Sequence, residues 1–344
     1  MFRRFRFFFV VAIGFVSAVA IPSTTHAEDF YQGKVIRFVV GYSAGGSFDL
    51  YTRLIARHIS KYIPGKPLAI VENMPGAGGA IAANQVYKTK PEGLTIGAWA
   101  SPLILQSILG SGAIKFDARE LGYLGVPSTY EPVFMFSKAS GIQKPNDLFS
   151  SQRTLKIAAI GPGTSTSDIP KLLKEALNLP IQILDGYKGG ADARMAVESG
   201  EVDGYCSSWD NVESVWRSAY EGGNIHAVIQ TNLKVNPRYK DIPLAISYAK
   251  TDEARQLITI ADSANRGQFI YSTPPGIPKD RLAILQKAFI DALHDHELLA
   301  EAKKSNLDIN PIDGPTLTET VRSMYAMTPA TIAKLKDILS PKRR

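Results

Sequence analysis

The chain has 344 residues, of which 45% are hydrophobic and 21% are charged, and its formal net charge is +7. Its one cysteine, Cys206, excludes an intramolecular disulfide and a lipid-anchored cysteine near the N-terminus. No run of basic residues is longer than the terminal Lys342-Arg343-Arg344, which argues against a nucleic-acid partner.

Residues 1–27 have the features of a secretory signal peptide. Three arginines precede an apolar run from Phe7 to Ile21, and small residues lead to a cleavage position after Ala27. The apolar run is shorter than the ~20 residues that a membrane-spanning helix needs. Removal of the three arginines lowers the charge from +7 to +4 and leaves 317 of the 344 residues. We therefore expect an exported, soluble protein that is long enough for two lobes.

Strand-like and helical segments alternate in the first part of the chain. The pairs are VIRFVV with SFDLYTRLIARHISKYI, LAIVE with GGAIAANQVYKT, and LTIGAWA with PLILQSIL. Strands that are apolar on both faces predict a parallel sheet covered by helices. In the first helix Leu50, Leu54, Ile55, His58 and Ile59 recur at steps of three or four and predict one buried stripe.

The alternation begins again at residue 154. TLKIAAI leads to GPGTSTSD and IPKLLKEALNL, IQILDG leads to GGADARMAVESG, and VDGYCSS leads to NVESVWRSAYEGG. These segments predict a second α/β lobe at residues 128–235. The helical segments DEARQLITIADSAN, KDRLAILQKAFIDALHDHELLAEAKK and PTLTETVRSMYAMTPATIAKLKDIL have only GQFIYST as strand material between them. We expect them to pack on the first sheet, so that residues 28–127 and 236–344 form the first lobe.

The first clear strand-to-helix turn of each lobe has the same chemistry. GYSAGGSFD begins at Gly41 and GPGTSTSDI begins at Gly161. Glycines expose backbone N–H groups, hydroxyls add donors, and the helix start directs its positive dipole end at the same point. Ser47 or Thr166 as a simple helix cap is the alternative. Because ligands of open α/β sheets bind beyond the carboxyl ends of strands, two such loops predict a cleft for a small anion.

The composition of these loops favours a carboxylate. Neither loop contains arginine, so uncharged donors and bridging water are expected to carry much of the recognition. The lysine of a P-loop and a full G-x-G-x-x-G are both missing from the sequence, which disfavours a nucleotide.

The stretch GYSAG, residues 41–45, also matches G-x-S-x-G, the nucleophile elbow of α/β-hydrolases. A secreted serine hydrolase that uses Ser43 is therefore the alternative function. It is disfavoured because Ser43 follows the first mature strand, so no upstream strand supplies the usual oxyanion N–H. The four mature histidines fall in predicted helices or in a strand: His58, His226, His294 and His296.

We expect neither a metal nor another cofactor. The histidines show no ligand spacing with cysteine or carboxylates, and His294 and His296 would point to different faces of one predicted helix. Cys206 lies among strand-like residues and is expected to be a buried, inert thiol.

Five stretches occur in the order VIRFVVGYSAGGSFDLYTRLIARHI, AIVENMPGAGGAIAANQVYKTKPEGLTIG, GPGTSTSD, YKGGADARMAVESGEVDG and STPPGIPKDRLAILQKAFIDAL. Together they resemble the extracytoplasmic solute receptors of tripartite tricarboxylate transporters, the TctC-like or Bug family. The resemblance implies a type II periplasmic-binding-protein fold, with two α/β lobes joined by two chain crossings. It further implies a periplasmic, monomeric, non-enzymatic receptor that closes around a small organic carboxylate, either a di- or tricarboxylate or an aromatic acid. The implied partner is a membrane permease with large and small integral subunits.

The resemblance also implies ligand contacts in both lobes. The first binding loop of the family maps onto residues 43–49 and the second onto residues 161–167, and Tyr187 to Ala191 begins another helix near the cleft. Trp99 and Trp209 are interpreted either as cleft residues that favour an aromatic acid or as core tryptophans. The candidate ligand-binding residues are Tyr42, Ser43, Ala44, Gly45, Gly46, Ser47, Asp49, Ser101, Gly161, Gly163, Thr164, Ser165, Thr166, Asp168, Tyr187, Gly189 and Trp209.

The sequence departs from the family pattern in four places. Proline is common in the family where this chain has Gly41 and Ala44, and histidine is common where Asp168 stands. Asp168 would repel a carboxylate, so either it turns away as a helix-start residue or the ligand has a positive or hydroxyl-bearing end. Residues 239–271 are longer and more helical than the usual link. The identity of the carboxylate, and transport as against sensing, therefore stay open.

Overall fold

The computed structural model describes residues 30–42, 44, 45, 47–187 and 189–339, apart from the side chain of Ser214. The predicted signal peptide, with its cleavage position after Ala27, lies outside the described residues. The same holds for the candidate residues Ser43 and Gly46.

Strands in this part of the chain form two sheets. Their bounds are β1 Val35–Val40, β2 Leu68–Asn73, β3 Thr95–Ala100, β4 Gly122–Val126, β5 Pro132–Ser137, β6 Leu155–Ala159, β7 Ile181–Asp185, β8 Gly204–Ser208, β9 Ile225–Gln230, β10 Phe269–Thr273 and β11 Ile312–Asp313.

Helices cover both sheets. Their bounds are α1 Ser47–Ile59, α2 Ala80–Tyr87, α3 Pro102–Ile108, α4 Pro145–Phe149, α5 Ser165–Leu177, α6 Gly190–Glu198, a composite α7 made of Trp209–Asn211, a π-helical turn Val212–Trp216 and Arg217–Glu221, α8 Asp252–Arg266, α9 Lys279–Leu293, α10 His296–Lys304, α11 Gly314–Tyr325 and α12 Pro329–Leu339.

The first sheet has the order β11-β4-β10-β3-β1-β2. Strand β1 is parallel to β2 and β3, with Val40 opposite Asn73 on one side and Ala98 on the other. Strand β10 runs antiparallel to β3 and β4, and β11 runs antiparallel to β4. The prediction of a parallel sheet is therefore correct for β1 to β3 and wrong for the whole, because β10 enters the sheet from the other lobe.

The second sheet has the order β7-β6-β8-β5-β9. Strand β6 is parallel to both β7 and β8, whereas β5 is antiparallel to β8 and β9. The loops that follow β6, β7 and β8 therefore leave the sheet at one edge, and this edge carries the second candidate binding loop.

The chain passes from the first sheet to the second between β4 and β5, and returns between β9 and β10. Helix α8 lies on the return path and joins both cores. Its Leu257 and Ala261 pack with the first sheet's core, while Ala254 and Ile258 pack with the second. These four residues follow the i, i+3, i+4, i+7 spacing of one helix face, so a single apolar stripe of α8 packs against both cores.

The packing of residues 236–249 bears on where the lobes divide. Ala245 and Ala249 belong to the core of the second sheet, although the sequence places this segment in the first lobe. Gln230 forms a bridge with Leu244, which holds the segment beside β9. The division into residues 28–127 plus 236–344 and residues 128–235 stays a prediction.

Two of the C-terminal helical segments are each divided by a cap. Asp295 accepts hydrogen bonds from the N–H groups of Glu297 and Leu298, so α10 starts there and His294 ends up outside both helices.

In the residues that the structure describes, no helix has the length and apolarity needed to cross a membrane.

Candidate functional site

The first candidate loop leaves β1 through a tightly packed glycine. A Cβ on Gly41 would lie 2.8 Å from Cα of Gly79, so only glycine fits between the two chain segments. The N–H of Gly41 donates to the carbonyl of Ala98 at 3.0 Å, which continues the β1–β3 pairing. Gly41, in place of the family's proline, thus keeps a donor that proline lacks.

Tyr42 joins this loop to the glycine-rich turn after β2. Its ring stacks on Phe48 with centroids 4.0 Å apart, and its hydroxyl donates to the carbonyl of Gly78 at 2.8 Å. The amide of Asn73 donates to the carbonyl of Tyr42 at 3.0 Å. The stretch ENMPGAGG therefore supports the first loop from behind.

Asp49 holds the loop from inside the first turn of α1. Its buried carboxylate accepts the N–H of Gly45 at 2.9 Å, the guanidinium of Arg53 at 2.9 Å and the amide of Asn73 at 2.9 Å. Burial alone would raise the pKa of Asp49, but these three hydrogen bonds outweigh burial and lower it. Asp49 therefore acts as an ionised brace, while Ala44, Gly45 and Ser47 are exposed at the loop surface.

The second candidate loop repeats this construction. Asp168, in the first turn of α5, accepts the N–H of Gly163 at 3.0 Å. The hydroxyl of Thr164 donates to the carbonyl of Gly161 at 2.6 Å, and the hydroxyl of Thr166 accepts the N–H of Ile160 at 3.1 Å. Asp168 thus turns back to its own loop, as a helix-start residue does.

The two aspartates differ in electrostatic support. Asp168 is 5% exposed and, among the described residues, forms no ion pair. The nearby Lys171 is engaged with Asp185 at 3.1 Å. Burial, only partly offset by the N–H of Gly163, raises the pKa of Asp168 to about 7.

The free donors of the second loop lie in the first turn of α5. The amides of Ser167 and Asp168 donate to the carbonyl of Thr164, at 3.1 and 2.8 Å. The amides of Ser165 and Thr166 are first-turn N–H groups, which have no intrahelical acceptor. The hydroxyl of Ser165 donates to the side-chain oxygen of Gln268 at 3.4 Å, across the return crossing. The backbone N–H groups of Ser165 and Thr166 are therefore the donors of this loop that the helix leaves without an acceptor.

Residues of the crossings form the floor between the lobes, and the sequence reasoning missed them. The N–H of Tyr130 donates to the carbonyl of Arg266 at 3.0 Å. Burial raises the pKa of the Tyr130 phenol, and this phenol hydrogen-bonds to the side chain of Ser165. The side chain of Gln106 packs directly against Gly163. The sequence position of Tyr130 could have indicated this role, because an aromatic residue in the segment that links two lobes lies beside the cleft between them.

Several other candidates are engaged in structural contacts. The buried hydroxyl of Ser101 donates to the carbonyl of Ala264 at 2.7 Å, and the Tyr187 hydroxyl donates to Glu201 at 2.6 Å. Gly189 is extended at the start of α6. Within the described residues, no hydrogen bond or ion pair joins the two loops to each other.

Both candidate tryptophans are core residues. Trp209 is 1% exposed and stacks on Tyr239 with centroids 3.5 Å apart. Trp99 is 1% exposed and its indole donates to Ser272 at 2.8 Å. Neither presents a ring face to a ligand, so an aromatic acid gains no support from them.

One cluster has the composition of a metal site. Ligand atoms of His58, Asp295 and Glu297 lie within 4.8 Å of one another. The ammonium of Lys61 lies among them, donating to Asp295 at 3.1 Å and to Glu297. Because a lysine already neutralises these carboxylates, we describe the cluster as an ion-pair network.

Two mixed α/β lobes joined by two crossings, with glycine-rich loops at strand ends, define the fold of a solute-binding protein. The matches agree: residues 52–303 fit the family model described as "Tripartite tricarboxylate transporter family receptor". The chain belongs to this family, whose members are receptors and not enzymes. The hydrolase alternative built on Ser43 is therefore set aside.

The chain is similar to several known proteins. A "UPF0065 protein in gbd 5'region" of Cupriavidus necator is 27% identical over 65% of this chain and 67% of its own length. Matches to other curated relatives span 47% and 65% of their lengths.

Solved structures show the same fold. A TctC solute-binding protein from Polaromonas has a TM-score of 0.71 at 17% identity, covering 89% of this chain and 99% of its own. MatC from Rhodopseudomonas palustris, with bound malate, has a TM-score of 0.64 at 19% identity, covering 89% and 99%. Another R. palustris protein, with adipate, has a TM-score of 0.64 at 18% identity, covering 89% and 98%.

Proposed function

We propose that this receptor captures a small organic carboxylate between its two loops and delivers it to a tripartite membrane permease with large and small integral subunits. The observation that carries the proposal is the repeated loop: in each lobe a buried aspartate in the first turn of a helix accepts a glycine N–H of the preceding loop, so that each loop leads into a helix N-terminus. Helix N-termini and exposed amides favour an anion. Malate and adipate, bound by two proteins of the same fold, are carboxylates of suitable size.

Lobe closure follows from this arrangement. An anion satisfies donors from both lobes only when the lobes approach, so binding favours the closed form through a hinge at the two crossings. Ala44 is exposed at the first loop, where its backbone can contact the ligand. Ser165 provides hydrogen-bond donors at the second loop. We place the protein in the periplasm as a monomer, in keeping with its family and with the signal peptide predicted for residues 1–27.

The experiment is a thermal-shift panel of di- and tricarboxylates and aromatic acids on the mature protein, followed by calorimetry for the acids that stabilise it. Ala44→Asp should abolish stabilisation by these acids, because it places a negative charge beside the bound carboxylate. Ala330→Asp, an equally exposed change on α12, is the matched control and should bind normally. Equal binding by both variants would contradict a carboxylate site at the first loop.

Delivery is tested separately by uptake in cells. A strain that lacks the receptor should lose uptake of the identified acid, and the wild type but not Ala44→Asp should restore it. Normal uptake without the receptor would mean that the protein reports its ligand instead of importing it.

A further inference from the structure

An acidic residue missing from the candidate set lies at the same sheet edge as the second loop. Asp210 opens α7 directly after β8, which pairs in parallel with β6. The carboxyl ends of these two strands are adjacent, so Asp210 and the loop at residues 161–168 leave the sheet side by side. Asp210 makes no hydrogen bond or ion pair with any residue that the structure describes.

Asp210 faces the first lobe. Asp308, which belongs to the connection between α10 and β11, repels it across a cavity of about 330 Å³ that both carboxylates line. The Tyr51 hydroxyl donates to the carbonyl of Asp308 at 2.8 Å. The negative charge of Asp210 contributes to the raised pKa of the same hydroxyl. The field of Asp210 also reaches the phenol of Tyr130 on the cleft floor. Asp210 is therefore a cleft residue, opposite α1 of the first lobe.

Among the described residues, no base forms an ion pair with this carboxylate. Burial is the largest cause of the rise in the pKa of Asp210 to about 7, and repulsion by Asp308, Glu131 and Glu213 adds to it. The guanidinium of Arg238 lowers the pKa of Asp210 only in part, and it pairs with Glu213 at 2.8 Å. The remaining bases that line the cavity are exposed at its rim: Arg217 and Lys303.

Two chemically different groups of residues therefore lie near Tyr130, which hydrogen-bonds to Ser165 and is also within the electrostatic field of Asp210. Ser165 and Thr166 offer donors at the start of α5, whereas Asp210 and Asp308 offer only acceptors when ionised. A second ligand carboxylate at the acidic end would meet like charge in a partly desolvated space. A metal ion is disfavoured at Asp210 and Asp308, because among the described residues they belong to no group of three close ligand atoms. In the same part of the chain, the one such group, with atoms within 4.8 Å of one another, is His58, Asp295 and Glu297.

Resting on the proposed function, we propose that the ligand is an aminocarboxylate: its carboxylate lies at the loop donors and its ammonium group is received by Asp210, with Asp308 contributing from the facing lobe. An ammonium completes the acceptors of Asp210 and relieves the repulsion between the two aspartates. It also gives the closed form a contact that links both lobes, because Asp210 follows a strand of the second sheet and Asp308 precedes a strand of the first.

The test compares acids that share a spacer and differ only at the second end: β-alanine with succinate, γ-aminobutyrate with glutarate, and δ-aminovalerate with adipate. Calorimetry on the wild type should give, for at least one pair, about tenfold or more tighter binding of the amino acid. Tighter binding of the dicarboxylate in every pair would overturn the inference and leave the proposed function standing. Binding of no acid of either kind would overturn both.

The Asp210→Asn variant separates charge from shape. It should weaken the preferred aminocarboxylate about tenfold or more and strengthen its dicarboxylate partner, so the two changes have opposite signs. Glu221→Gln, at the exposed end of the same helix, is the matched control and should change neither.

Asp308→Asn provides an independent check, since the Asp308 side chain is exposed and its backbone carbonyl, which Tyr51 uses, is kept. It should change binding in the same directions as Asp210→Asn, by a smaller factor. If both variants fold, as judged by their circular dichroism, and neither shifts the preference between paired acids, the assignment of Asp210 is wrong.

Discussion

The Asp168→Asn variant should gain stability relative to the wild type as the pH rises. Burial raises the pKa of Asp168 from 3.8 to about 7, so the folded protein keeps a proton that the unfolded chain releases at lower pH. When folding raises the pKa of a carboxyl, the carboxyl contributes its full stability at pH values below its pKa in the unfolded chain. This stability is lost as the pH rises through its pKa in the folded protein. Asparagine does not ionise, and its oxygen can still accept the N–H of Gly163, which lies 3.0 Å from the carboxyl.

The magnitude follows from the two pKa values. A difference of about three pH units corresponds to ~4 kcal/mol of unfolding free energy over the whole titration, at about 1.4 kcal/mol per unit. Between about pH 5 and about pH 8 the wild type should lose roughly 2.5 kcal/mol that the variant retains. The side chain of Asp168 is 5% exposed, so solvent does little to reduce the effect.

The assay is denaturant unfolding of ligand-free protein at the two pH values. Asp49→Asn is the matched control, because Asp49 occupies the corresponding place in the first loop but has a lowered pKa, with bonds from Arg53, Gly45 and Asn73 outweighing burial. Asp49 is ionised in both folded and unfolded chains over this range, so its variant should show the same loss at both pH values. A difference between Asp168→Asn and the wild type that stays constant or shrinks as the pH rises would refute the reasoning.

Two further changes test the loops. Gly163→Ala should cost about 1–2 kcal/mol and weaken ligand binding, because Gly163 has φ +80° and an added Cβ would lie 1.8 Å from the Gln106 amide. Adding Gln106→Ala should recover only the part due to contact, as denaturant unfolding will show. Arg53→Met should lower the free energy of unfolding by about 1 kcal/mol and weaken carboxylate binding in calorimetry. The cost is moderate because Arg53 is 43% exposed, although its partner Asp49 is buried. Unchanged affinity would mean that the Arg53–Asp49 pair does not support the binding site.

Local sequence was enough for the two-lobed plan and for the repeated loops. The alternation of β-branched runs with amphipathic helices predicted the parallel cores, and the family resemblance supplied the fold that the matches bear out. Strand direction was harder to predict. GQFIYST has strand composition in either direction, and β10 runs antiparallel only because the chain re-enters through α8 from the other lobe.

Tertiary contacts decided the roles of individual side chains. Trp209 stands at a strand end, where a cleft residue would stand, yet it is covered by Tyr239, 30 residues further along the chain. Asp49 and Asp168 both occupy the first turn after a glycine-rich loop. Their difference in charge state comes from partners: Arg53 is one turn away on the same helix, whereas the lysine near Asp168 is taken by Asp185 at the end of β7. The Asp49–Arg53 pair has i, i+4 spacing and can be expected from local sequence, whereas the pairing of Lys171 with Asp185 joins two elements and cannot.

The bracing aspartates also limit which donors a ligand can use. The N–H groups of Gly45 and Gly163 already donate to Asp49 and Asp168, so both glycines shape their loops. What remains at the second loop is the first turn of α5, around Ser165, where amides, a hydroxyl and the helix dipole act in the same direction. A carboxylate held there lies close to Tyr130 and on the same sheet edge as Asp210. The proposal of an aminocarboxylate rests on this contrast between a donor-rich helix start and an aspartate that forms no ion pair with any described residue.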